Sequence, residues 1–135
     1  MSEPNKNASA LKSAGGFGRL FKALGYSWRG LNAAIVHEAA FRQELLLLAP
    51  SLALLWFAHL PRLETIFILA LGVALLVVEL LNSAIEALTD RVSLELHPLA
   101  GRAKDIGSAA VLLTLLLYCG VWLLWVAPAL WARLL

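Results

Sequence analysis

The stretch Val77-Val78-Glu79-Leu80-Leu81-Asn82-Ser83-Ala84-Ile85-Glu86-Ala87-Leu88-Thr89-Asp90 places three carboxylates and an amide on one helical stripe at the end of a membrane-type apolar segment. Glu79, Asn82, Glu86 and Asp90 are spaced by three, four and four. At about 100° per residue they fall within about 80° of one another on a helix. A carboxylate in a bilayer-spanning helix costs on the order of 3 kcal/mol, so it should face protein or water and mark a functional group. The stripe therefore predicts a polar site at the membrane that handles a cation, a proton or both.

The rest of the chain fits this frame. Apolar residues make up 61% of the 135 and mean hydropathy is +0.79, too hydrophobic for an ordinary soluble domain of this size. Residues 45–61 and 106–132 contain no Asp, Glu, Lys or Arg, and residues 65–85 contain only Glu79. About 20 apolar residues cross a bilayer as a helix. Spans are thus predicted over about residues 41–60, 64–88 and 104–131. Pro50 predicts a kink in the first, which neighbouring helices can accommodate.

Before the spans, Phe17, Leu20, Phe21, Leu24, Trp28, Leu31 and Ile35 recur at helical spacing, with Arg19, Lys22, Arg29 and Asn32 on other faces. This pattern predicts an amphipathic surface helix over about residues 17–36, lying in the membrane interface. Gly25 and Gly30 weaken it, so a break there is compatible with the pattern. Residues 1–16 are expected to form a flexible polar N-terminus without a cleavable signal peptide, and residues 17–135 a single membrane domain. The expected fold is all-α, a surface helix followed by three transmembrane helices.

Charge sets the orientation. Lys6, Lys12, Arg19, Lys22, Arg29 and Arg42 precede or open span one, and Arg91, Arg102 and Lys104 lie between spans two and three. The other side carries only Arg62 and Arg133. By the positive-inside rule the N-terminus should be cytoplasmic and the C-terminus on the opposite side. A net charge of +2 gives no argument for a nucleic-acid partner. Cys119 stands alone, so it predicts neither an intrachain disulfide nor a metal site.

Each candidate has a functional and a plain reading. Glu79 suits a general base or proton carrier; the alternative is a carboxylate that only hydrogen-bonds to a neighbouring helix. Glu86 and Glu38 suit a hard cation such as Mg²⁺; the alternative is a solvated helix end. Lys104 suits a phosphate and Asp105 a ribose or an amine; the alternative is an inside-positive signal followed by a first-turn acid. Neither GxxxxGK[ST] nor GxGxxG occurs, so a P-loop and a protein-kinase phosphate cradle are excluded.

Three motifs carry a family resemblance. Glu38-Ala39-Ala40-Phe41-Arg42-Gln43-Glu44, Glu79-Leu80-Leu81-Asn82-Ser83-Ala84-Ile85-Glu86 and Gly101-Arg102-Ala103-Lys104-Asp105-Ile106-Gly107-Ser108-Ala109-Ala110 resemble, in order, the signatures of the prokaryotic diacylglycerol kinase family. Gly25-Tyr26-Ser27-Trp28 also fits its surface helix, and the match runs over roughly residues 17–125. The resemblance implies a homotrimer in the bacterial inner membrane that transfers the γ-phosphate of ATP, bound with Mg²⁺, to diacylglycerol. It implies Glu79 as general base and Glu38 and Glu86 as the residues holding Mg²⁺. It implies nucleotide contacts from Arg19, Tyr26, Glu95, Leu96, His97, Lys104 and Asp105, together with Glu38 and Glu86. Arg19, Ser27, Trp28, Glu79 and Ser108 would meet the lipid, with Asn82 and Asp90 in support. The nearest rival acceptor is undecaprenol, used by a related group. A rival of another class is a proton or ion carrier built on the Glu79 stripe.

Overall fold

The computed structural model describes residues 16–92 and 97–134. The expected N-terminal tail, apart from Gly16, and the nucleotide contacts expected of Glu95 and Leu96 lie outside the described residues. The described chain forms four helices: α1, Gly16–His37; α2, Ala39–Ala58; α3, Arg62–Val92; and α4, Pro98–Leu134. No strand occurs among the described residues.

Helix α1 is a unit by itself. It runs unbroken through Gly25 and Gly30, so the break their propensities allowed does not occur. Its apolar side chains Phe21, Leu24 and Trp28 are exposed, as an interfacial helix requires.

Helices α2, α3 and α4 pack against one another, and each is long and apolar enough to cross a membrane. At 1.5 Å per residue, α2 with 20 residues is about 30 Å long, the thickness of the hydrocarbon layer. Helices α3 and α4, with 31 and 37 residues, are longer than that layer. Their surplus carries polar residues out of it.

The buried stripe of α2 is Phe41, Glu44, Leu48, Ser51, Leu55 and Ala58, spaced alternately by three and four. That is the seam a helix presents to a packed neighbour. Leu48, Leu55 and Ala58 meet Ile68 of α3 and Tyr118 and Val126 of α4 in the core. Gly72 lets α3 approach closely, since a Cβ there would lie 3.2 Å from Leu48 Cδ2 and 3.4 Å from Tyr118 Cε2. Pro50 sits on the exposed side of α2, and the helix continues through it. One position on, Ser51 Oγ donates to Leu48 O at 2.8 Å. With that proton committed, Tyr118 OH is the donor to Ser51 Oγ, 2.6 Å away, which ties α4 to α2. His59 closes α2 in the left-handed region at φ 49°, its Nδ1 2.9 Å from Phe57 O. Large apolar side chains such as Leu46, Leu113 and Leu124 point outward, where lipid or other chains would cover them.

Candidate active site

Burial falls steadily along the polar stripe of α3. Glu79 is only 2% exposed and Asn82 is buried, whereas Glu86 is half-buried and Asp90 is exposed. The stripe thus runs from inside the bundle to its open end, about 16 Å along the axis. Asn82 Nδ2 donates to Glu86 Oε1 at 3.0 Å, the pairing that a spacing of four allows on one face. Asn82 Oδ1 is buried without a hydrogen-bond partner. It abuts Gly107 of α4 so closely that a Cβ there would overlap it.

Helix α2 brings further carboxylates to the same place. Glu38 caps α2 in an extended conformation, φ −97° and ψ 111°, and its side chain makes no capping hydrogen bond. Its carboxylate is therefore not consumed by the helix end it precedes. Glu38, Glu44 and Glu86 all lie within electrostatic reach of Glu79. Glu44 is 7% exposed, and its Oε2 is buried without a hydrogen-bond partner. Sequence reasoning did not single out Glu44. The signal was present, because Glu44 shares the three-and-four spacing of Phe41, Leu48 and Ser51 on one stripe.

At the open end, Lys104 Nζ of α4 lies 2.5 Å from Asp90 Oδ1 of α3. Both are well solvated, so the pair adds little to stability and chiefly positions the lysine. Asp105 and Ser108 are exposed nearby on α4. His97 precedes α4, and its Nδ1 accepts a hydrogen bond from the Leu99 N–H at 3.2 Å. Its carbonyl accepts from Ala100 N and Gly101 N, so the residue acts as the helix cap.

The candidates on α1 form their own group. Arg19, Tyr26, Ser27 and Trp28 are exposed. The Arg29 guanidinium lies 4.8 Å from the Tyr26 ring centroid, a cation–π contact. Ser27 Oγ donates to Ala23 O at 3.1 Å.

Among the described residues no three His, Cys, Asp or Glu side chains are grouped to hold a metal. A pair of hard carboxylates such as Glu38 and Glu86 still fits Mg²⁺, which typically takes one or two protein carboxylates and completes its octahedron with phosphate oxygens and water. The donor chemistry fits that ion better than zinc or another soft metal.

A three-span helical bundle with a buried carboxylate stripe, opening beside a lysine, defines an integral membrane protein with an enzyme-like polar site. Residues 25–126 match the family described as prokaryotic diacylglycerol kinase. A diacylglycerol kinase of Escherichia coli (strain K12) is 44% identical over 112 residues, covering 82% of this chain and 92% of its own. One of Pseudomonas aeruginosa is 45% identical over 114 residues, 84% of this chain and 93% of its own. One of Helicobacter pylori (strain ATCC 700392 / 26695) is 42% identical over 109 residues, 81% and 85% respectively. The chain belongs to the prokaryotic diacylglycerol kinase family and is a membrane enzyme of the kinase type. The resemblance carried by the three motifs is borne out.

Proposed function

We propose that the protein transfers the γ-phosphate of ATP to the hydroxyl of diacylglycerol, giving phosphatidic acid and ADP. The observation that carries this reading is Glu79, a carboxylate 2% exposed within a membrane-spanning helix, on a stripe that leads to the solvated Asp90–Lys104 pair. A lipid hydroxyl rests at the interface and ATP arrives from water, so the reaction needs a site joining the two environments. Glu79 takes the proton of the hydroxyl. The oxygen forms the new bond to the γ-phosphorus, and the bond to the β–γ bridging oxygen breaks as ADP leaves. Phosphoryl transfer depends mainly on positioning and charge neutralisation, which suits a few fixed polar groups.

Glu38 and Glu86 hold Mg²⁺, which neutralises phosphate charge when bound with ATP. Arg19, Tyr26, Lys104, Asp105 and the segment Glu95 to His97 serve the nucleotide. Arg19, Ser27, Trp28 and Ser108 serve the lipid, and Asn82 and Asp90 support the carboxylates. Residues 17–135 act as one domain after the polar residues 1–16. The working form is a homotrimer in the bacterial inner membrane. The N-terminus and the α3–α4 loop face the cytoplasm and the C-terminus the opposite side, a reading that the distribution of basic residues supports.

The test is direct. Detergent-purified protein is incubated with γ-labelled ATP, Mg²⁺ and either diacylglycerol or undecaprenol, and the labelled lipid is identified. Label in phosphatidic acid is expected. Label only in undecaprenyl phosphate would replace the acceptor, and label in neither would overturn the kinase reading.

A further inference from the structure

We propose that Gly107 is a positioning residue: its bare Cα is the seat of the Asn82 carboxamide, and the seat aims Asn82 Nδ2 at Glu86. The inference rests on the reading of Glu86 as a ligand of the nucleotide-bound Mg²⁺. Gly107 is buried on α4, and the three atoms nearest to a Cβ built there are Oδ1, Cγ and Cα of Asn82. The overlap is with Oδ1, whereas Cγ and Cα lie 3.4 and 3.9 Å away. On the same helix, Gly101 and Gly120 would meet nothing within 4 Å.

Backbone conformation does not explain the glycine. No described glycine has a positive φ, so alanine could adopt the conformation at 107 and is the better helix former. Space is what remains. A methyl at 107 must push Asn82 Oδ1 aside, and the amide cannot turn without taking Nδ2 away from Glu86 Oε1, now 3.0 Å distant. Nor can it simply flip, because Oδ1 would then face a carboxylate oxygen. Asn82 is 8% exposed and its Oδ1 lacks a partner, so no other hydrogen bond holds that end of the amide. The α3–α4 contact at Gly107 holds it instead. Glu86, half-buried and one turn further out, receives its orientation from Asn82. Groups that orient a metal ligand in this way typically change metal affinity 10- to 100-fold when lost.

The test is a double-mutant cycle of Gly107→Ala and Asn82→Ala in the full-length detergent-solubilised protein. MgATP affinity is read by calorimetry, and turnover is read separately. A third readout is the side-chain amide signal of Asn82 in ¹⁵N-asparagine-labelled protein. Gly107→Ala is expected to shift that signal and to weaken MgATP binding about tenfold or more. In the Asn82→Ala background the same methyl should have no further effect, because the group it displaces is gone. An unmoved Asn82 signal, unchanged MgATP affinity, or effects that simply multiply would overturn the proposal. If Gly107→Ala fails to fold while Gly107→Ala/Asn82→Ala folds, the clash is with Asn82 and the seat stands. If neither folds, Gly107 is a general packing residue and the proposal fails. A wild-type protein that labels no lipid would defeat the kinase reading alone, since the amide signal still reports on the seat.

Discussion

At the scale of single residues, burial separates the carboxylates in a way that suits the tasks proposed for them. Glu79 is shielded from water on a spanning helix, whereas Glu86 is half-buried and hydrogen-bonded to Asn82. A proton acceptor for a lipid hydroxyl belongs at the first position and a ligand for a hydrated ion at the second. Glu79→Gln keeps the shape and removes the acceptor. Turnover is expected to fall on the order of a hundredfold or more, with MgATP affinity little changed. Steady-state kinetics beside calorimetry checks this, and near-normal turnover would remove Glu79 from the role. Glu38→Gln and Glu86→Gln should each weaken Mg²⁺-dependent nucleotide binding. Combined, they should cost less than the sum, because both act on one ion. Unchanged affinity in both single variants would place the metal elsewhere. Of these residues, Glu79, Asn82, Glu86 and Asp90 were legible in the sequence, because one 3.6-residue period in an apolar run exposes them. Glu44 was not singled out. Its neighbours Arg42 and Gln43 make that part of the chain read as a polar helix start and mask the three-and-four spacing with Phe41, Leu48 and Ser51 that marks Glu44 as inward.

At the scale of elements, the link between α2 and α4 has a direction that can be tested. Tyr118 OH donates to Ser51 Oγ, and Ser51 donates to Leu48 O. In Tyr118→Phe the donor is lost, while Ser51 keeps its own bond. The expected cost is about 0.5–1.5 kcal/mol, at the lower end if hydrogen bonds between membrane helices follow their usual average. Ser51→Ala instead leaves the buried Tyr118 hydroxyl without a partner and should cost more, about 1–3 kcal/mol. Denaturant unfolding of both variants in detergent gives the order, and Tyr118→Phe as the worse variant would contradict the donor assignment. The helices themselves were foreseen from hydropathy and spacing. The local weaknesses were not decisive: α1 passes Gly25 and Gly30, and α2 passes Pro50. In a low-dielectric medium a broken backbone leaves polar groups without water, which favours a continuous helix over what propensity alone would suggest.

At the scale of the whole molecule, α2 to α4 leave most of their apolar side chains on the outside. Along α4, among the described residues, only Gly107, Tyr118 and Val126 are buried within the chain. Lipid can cover such faces, but three helices offer little enclosure for both a nucleotide and a lipid. The proposed trimer resolves this if each active site draws on two subunits. Two inactive variants with lesions on different helices, Glu79→Gln and Arg19→Ala, should then regain activity when unfolded and refolded together, since some mixed trimers hold one intact site. Crosslinking confirms that the chains exchanged. Exchange without recovered activity would count against sharing across this pair, and a monomeric protein would sink the idea.

What the sequence by itself determined is the class and the chemistry: three apolar spans, an amphipathic helix before them, and a carboxylate stripe that no lipid-facing helix would carry. These are properties of single helices, set by a fixed period and by the cost of charge in hydrocarbon. The tertiary structure decided the pairings between helices. Asn82 with Gly107, Asp90 with Lys104 and Ser51 with Tyr118 depend on axial register and rotation, to within a fraction of a turn. Register of that kind comes from the interlocking of many small contacts, such as Gly72 against Leu48 and Tyr118, and no local pattern in the chain encodes it.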